Sequence, residues 1–451
     1  MELPSDFKER MKQQLGKSYA DFLASYDEGR TYGLRYNPLK ITKENLVSFF
    51  GGRQFQLEPV PWAEEGFYYP KEAQPGKQPL HEAGGYYIQE PSAMSAIALL
   101  DPRPGEQVLD LCAAPGGKST QIAGRMKGIG LLVANEVIPS RAKILSQNIE
   151  RMGIANALVL NETPQRLAER FPFCFDRIAV DAPCSGEGMF RKDEGACAEW
   201  SLQQVQRCAD RQKEILSHAV EMLKPGGVLV YSTCTFSRQE NEEMAEWFVA
   251  AYPQMKLEKQ VHIWPHLHRG EGHYAAVFQK EGKPVTTNSL DMQGQYGIKC
   301  AGKGRKQKGK KEIQELQQFL LETLTEDAYN VYWQRIVKGQ LEAFGEHLYL
   351  VPDGAGNLRG LKVERAGLQL GGCKKGRFEP AHAFAMSLSP VQVQRTYELA
   401  EPERYLHGEL VTDSNLANGW ILVTVRGCSI GWGKAVQGVL KNHYPKGLRW
   451  R

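Results

Sequence analysis

The 451-residue sequence contains no apolar run that approaches the roughly 18 residues of a membrane-spanning helix. Its first six residues, MELPSD, lead into charged residues instead of the apolar stretch of a secretory signal. We therefore expect a cytoplasmic protein without a membrane partner.

Short motifs of several other protein classes are also absent. The nine cysteines include no Cys-x-x-Cys pair, and their odd number argues against a disulfide framework. Neither G-x-G-x-x-G nor the Walker A spacing occurs, which disfavours dinucleotide and triphosphate binding. His262, His266 and His268 surround Trp264-Pro265 without a cysteine or an acid cluster nearby, so we expect no metal site.

Neither sign of charge dominates the whole chain, because 56 basic and 52 acidic residues leave a net charge of +4. The basic residues are nevertheless clustered. Residues 301–311 (AGKGRKQKGKK) and the last 32 residues, Trp420 to Arg451, each contain six basic residues and no acid. The first cluster is typical of a solvated linker. The second is interleaved with tryptophan and tyrosine, a combination that suits an RNA backbone.

Between residues 105 and 280, short aliphatic runs alternate with segments of helical periodicity, such as 140–152 and 202–223. Continuous aliphatic runs are typical of parallel strands that helices cover on both faces. The pattern predicts a doubly wound α/β domain with helical crossovers. The five predicted strands are 108–111, 131–134, 157–160, 177–180 and 228–231.

The first predicted strand leads into a loop that contains the glycine pair Gly116-Gly117. Such a pair allows a ligand to approach the backbone closely at the sheet's carboxyl edge. The second strand ends at Glu136, 26 residues after Asp110, where an acid can accept both ribose hydroxyls of an adenosine. These residues predict a site for a nucleotide-like cofactor.

Two cysteines follow predicted strands: Cys184 comes after the fourth strand and Cys234 after the fifth. Neighbouring parallel strands lie about 4.8 Å apart, so both thiols face one ligand if these strands are adjacent. A single such cysteine is more often structural, but two in Ser/Thr-rich strand ends favour thiolate chemistry. Asp181 is placed to hydrogen-bond the same ligand. These residues alone do not identify which cysteine is the nucleophile.

Three motifs resemble the signatures of the Nop/Sun family of RNA cytosine-5 methyltransferases: CAAPGGK at 112–118, DAPCSG at 181–186 and YSTCTFS at 231–237. LRYNPLK at 34–40 and QEPS at 89–92 resemble the family's N-terminal region, and EGHY at 271–274 resembles its last core motif. The GMFRK extension at 188–192 and the long C-terminal region resemble the bacterial 16S ribosomal RNA methyltransferase F type.

The resemblance implies S-adenosylmethionine as the cofactor and assigns roles to individual residues. It makes Cys234 the nucleophile, Cys184 the residue that assists product release, and Asp181 a neighbour of the methyl donor or the target base. One position departs from the family pattern: Thr163 occupies a place that is usually acidic, so Asn161, Glu162 and Thr163 stay open as contacts of the adenine. The implied cofactor site consists of Cys112, Ala113, Ala114, Pro115, Gly116, Gly117, Lys118, Glu136, Arg141, Thr163 and Asp181.

The resemblance also predicts the domain organisation and the substrate. We expect structured ribosomal RNA, 16S or a small-subunit particle, as the partner of a monomeric enzyme. The alternatives are a methyltransferase for transfer RNA or DNA and a non-catalytic RNA-binding assembly factor. The predicted parts are an N-terminal RNA-binding domain (1–80), a methyltransferase domain (81–282), a basic linker (283–311), a C-terminal accessory domain (312–385) and a PUA-like RNA-binding domain (386–451).

Overall fold

The computed structural model describes residues 3–192, 194–283, 310–374 and 376–450. Within these ranges no helix combines the length and the apolar character that crossing a membrane requires. The predicted basic linker falls almost entirely outside the described residues.

The N-terminal part of the chain, called the first layer below, is a small antiparallel sheet with helices beside it. The strand order of this sheet is β2-β3-β1-β4. Thr42 begins the third helix, because its side chain accepts a hydrogen bond from the amide of Asn45. The helices are α1 (Ser5–Leu15), α2 (Tyr19–Ala24), α3 (Lys43–Gly51) and α4 (Pro79–Glu82), and the strands are β1 (Gly33–Tyr36), β2 (Glu58–Val60), β3 (Ala63–Tyr68) and β4 (Tyr86–Ile88).

The centre of the molecule is the predicted doubly wound sheet, and all five predicted strands are confirmed. Strands β5 to β9 are parallel, and β11 and β10 extend the sheet in antiparallel fashion. The strands are β5 (Gln107–Asp110), β6 (Leu131–Asn135), β7 (Ala157–Leu160), β8 (Phe175–Asp181), β9 (Leu223–Thr233), β10 (Met255–Ile263) and β11 (His273–Lys280). The helices are α5 (Ser95–Leu100), α6 (Gly117–Arg125), α7 (Pro139–Arg151), α8 (Pro164–Arg170), α9 (Glu194–Glu199), α10 (Leu202–Met222) and α11 (Glu242–Ala251).

The strand order β10-β11-β9-β8-β5-β6-β7 reverses at β5, which pairs with β6 on one side and β8 on the other. In open α/β sheets, ligands bind at such a reversal, outside the carboxyl ends of the strands. Asp110, Asn135 and Asp181 end three of these strands. The topology therefore positions the site at this edge.

An accessory unit follows the central sheet and contributes a strand to it. Strand β14 pairs antiparallel with β7, so that Val363 lies opposite Leu160 and the sheet gains an eighth strand. The unit's own sheet is ordered β12-β13-β15-β16. Its elements are α12 (Lys310–Thr323), α13 (Glu326–Arg335), β12 (Leu341–Phe344), β13 (His347–Leu350), β14 (Val363–Ala366), β15 (Leu368–Lys374), β16 (Arg377–Pro380) and α14 (His382–Ser387).

The last unit is a five-stranded sheet, ordered β17-β19-β20-β21-β18. Its apolar side chains form one core with those of the first layer, such as Phe50 with Ile430. Lys40 Nζ adds hydrogen bonds to the carbonyls of Ala83 and Ser429, at 2.8 and 3.1 Å. The elements are β17 (Thr396–Glu398), α15 (Pro402–Leu406), β18 (Val411–Thr412), β19 (Gly419–Val425), β20 (Cys428–Val436) and β21 (Val439–Asn442).

Candidate active site

The carboxyl ends of the central strands open into a cleft of about 410 Å³, a size typical of small-molecule sites. The loop after β5, together with Asp181 and Cys234, forms one side, and residues 30–33 and 87–90 of the first layer form the other. The loop contributes Cys112, Ala113, Ala114, Pro115, Gly117 and Lys118, and further lining residues are Tyr69, Ala93, Met189, Lys192, Glu271 and His273.

The two predicted cysteines meet at the edge of this cleft. Strands β8 and β9 are adjacent and parallel, with Asp181 opposite Ser232, so the segments that follow them run side by side. The Sγ atoms of Cys184 and Cys234 lie 3.3 Å apart. The hydrogen bond with Cys234 and burial raise the pKa of the Cys184 thiol well above its ordinary value. Cys184 therefore stays protonated beside Cys234, which lines the cleft.

Asp181 is held at the end of β8 by two polar side chains. Its Oδ2 lies 2.8 Å from Lys118 Nζ, and its Oδ1 accepts a hydrogen bond from Ser232 Oγ at 2.9 Å. Burial is the largest single influence and raises the pKa of Asp181, but the charge of Lys118, His273 and the hydrogen bonds from Lys118 and Ser232 together hold the pKa below its ordinary value. The cleft thus presents an ionised carboxylate that accepts hydrogen bonds.

The loop after β5 leads directly into helix α6, so the positive end of that helix faces the cleft. Gly116 has a φ of +117°, which side chains rarely allow, and a Cβ there would lie 3.2 Å from Leu145 Cδ1. At the start of the loop, Asp110 Oδ2 accepts a hydrogen bond from Ser119 Oγ at 2.6 Å. Backbone amides, a lysine and an ionised acid together suit a small ligand that carries both a carboxylate and an ammonium group.

Glu136 and Arg141 lie farther along the same edge, beyond the residues that line the cleft. Glu136 is buried, and its Oε1 accepts a hydrogen bond from the amide of Ile138 at 2.9 Å. Arg141 bridges the acid to the loop: its Nη1 lies 3.2 Å from Glu136 Oε2, and its Nη2 donates to the carbonyl of Ala114 at 2.8 Å. The roles of Glu136 and Arg141 towards a cofactor stay predictions.

The three residues proposed near an adenine make different contacts. Asn161 Nδ2 donates to the carbonyl of Glu136 at 2.7 Å, and Glu162 Oε1 accepts from the amide of Lys362 at 2.7 Å. Thr163 Oγ1 accepts from the amide of Arg166 and so begins helix α8. The Thr163 side chain therefore has a structural role, and its predicted contact with the cofactor stays a prediction.

Comparison with known proteins identifies the family. The chain is 33% identical to the ribosomal RNA small subunit methyltransferase F of Vibrio vulnificus (strain YJ016), over 99% of this chain and 97% of that protein. It is 32% identical to the protein of the same name from Klebsiella pneumoniae (strain 342), over 96% and 93%. The chain belongs to the 16S ribosomal RNA methyltransferase F family. The predicted family is thereby confirmed.

Family sequence models and solved structures agree with this assignment. The model of the 16S rRNA methyltransferase RsmB/F family matches residues 97–279, and that of the RsmF N-terminal domain matches 3–91. Models of the first RsmF C-terminal domain and the RsmF PUA domain match 318–388 and 396–450. A crystal structure of a methyltransferase homologue from Pyrococcus horikoshii superposes with a TM-score of 0.55 at 29% identity, covering 60% of this chain and 93% of that chain. The predicted Rossmann-like fold with an N-terminal domain and a PUA-like C-terminal domain is confirmed.

The buried side chain of Glu240 connects the segment that contains Cys184 with the segment that contains Cys234. Glu240 Oε1 accepts hydrogen bonds from the amide of Ser185 at 2.9 Å and from Gln212 Nε2 at 3.1 Å. Ser185 Oγ also donates to Glu240 Oε2 and lies 2.8 Å from Thr235 Oγ1. Burial raises the pKa of Glu240 to about 7. Glu240 lies outside the quoted motifs. Its position three residues after the YSTCTFS motif is a signal that could have identified it.

We expect the substitution Glu240→Gln to flatten the pH dependence of the free energy of unfolding between about pH 4.5 and 7. The folded state binds the Glu240 proton more tightly than the unfolded state does, so this group's contribution to stability falls as the pH rises through that window. Glutamine stays neutral and keeps an oxygen acceptor. Urea unfolding at several pH values measures the effect, with the exposed Glu258→Gln as control. Equal slopes for wild type and Glu240→Gln would contradict the assignment.

Arg35, which lies in the LRYNPLK segment at 34–40, connects the first layer to the loop after β5. Its side chain is 1% exposed, and its Nη2 donates to the carbonyl of Gly117 at 2.6 Å and to Thr120 Oγ1 at 2.9 Å. Its Nε donates to Gln89 Oε1 at 2.6 Å. These bonds hold the start of helix α6 against strand β1. The first layer is therefore part of the active-site architecture.

Proposed function

We propose that this enzyme transfers the methyl group of S-adenosylmethionine to carbon 5 of a cytosine in 16S ribosomal RNA, through a covalent bond between Cys234 and carbon 6 of the base. The observation that carries the proposal is the pair of thiols, 3.3 Å apart, at the edge of a cleft that is also lined by the ionised Asp181. A non-catalytic assembly factor does not require such a pair.

The chemistry explains why a thiol is needed. Carbon 5 of cytosine is a poor nucleophile, and addition of the Cys234 thiolate to carbon 6 converts the ring into an enamine whose carbon 5 is nucleophilic. When bound, S-adenosylmethionine supplies an electrophilic methyl group. Loss of the carbon 5 proton and departure of the Cys234 thiolate then restore the aromatic ring and release the product.

Two features of the cysteines support different roles for them. Cys234 lines the cleft and is accessible to a base there. Cys184 has a raised thiol pKa, so it stays protonated and donates a hydrogen bond to Cys234 Sγ, which stabilises the neighbouring thiolate. The same thiol is placed to assist departure of Cys234 at the end of the reaction.

The residues of the carboxyl edge suit S-adenosylmethionine. Residues 112–118, with Lys118 and the amino end of helix α6, would hold the methionine carboxylate, beside Asp181. Glu136 would accept from the ribose hydroxyls, with Arg141 orienting its carboxylate. Glu162, which accepts from the amide of Lys362 next to strand β14, and Thr163 lie on the side proposed for the adenine.

We expect Glu136→Ala to weaken binding of S-adenosylmethionine by roughly 10- to 100-fold, because the ribose hydroxyls lose a charged acceptor worth about 1.5–3 kcal/mol. Affinity for RNA should change little. Isothermal titration calorimetry measures the first quantity and filter binding the second, with the exposed Glu169→Ala as control. Unchanged cofactor affinity in Glu136→Ala would refute the placement of the ribose.

The RNA partner is expected to contact the basic C-terminal end. Replacing Arg426, Lys441 and Lys446, all exposed, by glutamine should lower RNA affinity and its salt dependence. Removing one side chain that binds a phosphate reduces the slope of log K against log salt by roughly 0.7 to 0.9. Lys127→Gln, which replaces an exposed lysine in the turn after helix α6, is the control. A variant that binds RNA with an unchanged salt slope would show that these three side chains do not contact phosphate.

The proposed reaction itself is tested by its product. The purified enzyme, labelled S-adenosylmethionine and small-subunit particles from a strain that lacks this gene should yield 5-methylcytosine in 16S ribosomal RNA, mapped by bisulfite sequencing. The same assay with transfer RNA from that strain is the comparison, and product in transfer RNA alone would favour the transfer-RNA alternative. Tight binding of the particles without methyl transfer would favour an assembly factor.

A further inference from the structure

His273 lies in the cleft beside the two groups proposed to act on the base. Strand β11 pairs antiparallel with β9, and Tyr274 lies opposite Thr233, so His273 is next to Cys234 across the sheet. His273 lines the cleft and is only 4% exposed. Its Nε2 lies 4.0 Å from Asp181 Oδ1, beyond hydrogen-bond distance.

The buried Nε2 atom of His273 has no hydrogen-bond partner among the described residues. A buried polar atom without a partner costs free energy, and in a cleft this cost is relieved when a ligand supplies the partner. Burial and the charge of Lys118 lower the pKa of His273 to about 3, so its ring is neutral at physiological pH. A neutral imidazole carries one N–H donor and one acceptor nitrogen.

We propose that His273 is a further base-contacting residue, whose Nε2–H donates a hydrogen bond to the carbonyl oxygen O2 of the target cytosine while Asp181 accepts from its exocyclic amine. The inference rests on the proposed function. Asp181 is an anionic acceptor, so a donor on the pyrimidine is its natural partner, and O2 needs a donor from elsewhere. His273 is the neighbouring side chain in the cleft with a free nitrogen.

This hydrogen bond has a catalytic consequence. Addition of Cys234 at carbon 6 pushes electron density onto N3 and O2 of the ring. A donor fixed at O2 binds more tightly as that charge develops, and so it stabilises the addition step more than the bound substrate. We therefore expect loss of His273 to lower kcat more than it raises KM for RNA.

The test compares His273→Phe with His273→Asn, which can place an amide donor near the same position. His262→Phe is the matched control, since His262 lies on the adjacent strand β10 opposite Tyr274 and contacts Glu242 instead of the cleft. We expect His273→Phe to lower kcat by about 10- to 100-fold with cofactor affinity unchanged within about twofold. His273→Asn should recover part of this loss, and His262→Phe should stay near the wild-type rate.

An RNA with 2-thiocytidine at the target position tests the hydrogen bond itself, because sulfur is a weaker acceptor than oxygen. The thio substitution should slow the wild type and have little further effect on His273→Phe, since that variant has no donor at this position. Rate losses that simply multiply would overturn the hydrogen bond to O2. Cofactor affinity that falls in parallel with kcat would instead place His273 at the cofactor, and a wild-type rate in His273→Phe would give it no role. Failure of the proposed function is distinguishable, because the wild type would then form no 5-methylcytosine.

Discussion

Replacing Cys234 by serine is expected to lower methyl transfer to ribosomal RNA by at least about 10⁴-fold and to abolish the covalent protein–RNA complex. A serine hydroxyl is hardly ionised near neutral pH, so nothing adds to carbon 6 and carbon 5 stays unreactive. Transfer of a tritiated methyl group measures the rate, and denaturing gels measure the complex. Cys208→Ser is the matched control, because Cys208 is a partly buried cysteine of helix α10 that does not line the cleft.

The interpretation requires that Cys234→Ser keeps its fold and its cofactor site. Calorimetry with S-adenosylmethionine should give the wild-type affinity, because the cofactor is proposed to contact the loop after β5 and not the thiol. Methylation at a substantial rate by a folded Cys234→Ser protein would contradict covalent catalysis by this residue. An adduct that persists in Cys234→Ser would assign the nucleophile to another cysteine.

The central sheet could be predicted from the sequence because each of its strands is a local signal. Runs such as 108–111 and 157–160 are continuous, aliphatic and short, and the helical segments between them are strongly periodic. Strand β14 could not be predicted in this sheet. It pairs with β7, which lies some 200 residues earlier in the sequence. Its segment, Val-Glu-Arg-Ala, has no apolar pattern that predicts which strand it pairs with.

The association of the two ends of the chain could not be predicted either. Phe50 and Ile430 share one core, and Lys40 reaches Ser429, yet both ends have the sequence pattern of separate small domains. This association has a practical consequence for experiments. Removing the chain from residue 312 onward would remove β14 from the sheet and uncover the apolar face of the first layer. Point substitutions of Arg426, Lys441 and Lys446 are therefore the cleaner test of RNA binding.

The candidate active site also contains some residues whose positions could be predicted from the sequence and others whose positions could not. The loop after β5 and the two cysteines lie in short motifs at strand ends, and parallel strands bring their ends together at one edge, so their proximity could be predicted. Glu240, Arg35 and His273 lie beside residues that are 55 to 92 positions away in sequence, so their places in the site could not be predicted, although Arg35 and His273 fall inside motifs. No local pattern spans such separations. Thr163 departs from the family pattern; its side chain begins helix α8, and its contact with the cofactor stays a prediction.

Replacing Cys184 by serine is expected to have the opposite effect from Cys234→Ser on the covalent complex. Addition of Cys234 and methyl transfer do not require the Cys184 thiol. Departure of Cys234 does, because the protonated Cys184 thiol is proposed to donate to the leaving sulfur. Cys184→Ser should therefore accumulate a protein–RNA adduct that survives heating in denaturant, with product release slowed by at least about 100-fold.

The double variant identifies the atom that holds the RNA. Cys184→Ser with Cys234→Ser should form no adduct, because the bond is to Cys234, whereas Cys184→Ser with the control Cys208→Ser should accumulate as much adduct as Cys184→Ser alone. The two sulfurs lie 3.3 Å apart, so the two single substitutions alter neighbouring atoms and their opposite effects would reflect the different roles proposed for them. An adduct that vanishes in Cys184→Ser and persists in Cys234→Ser would reverse the two roles. Methylation intact in both single variants, with no adduct in either, would exclude the covalent route.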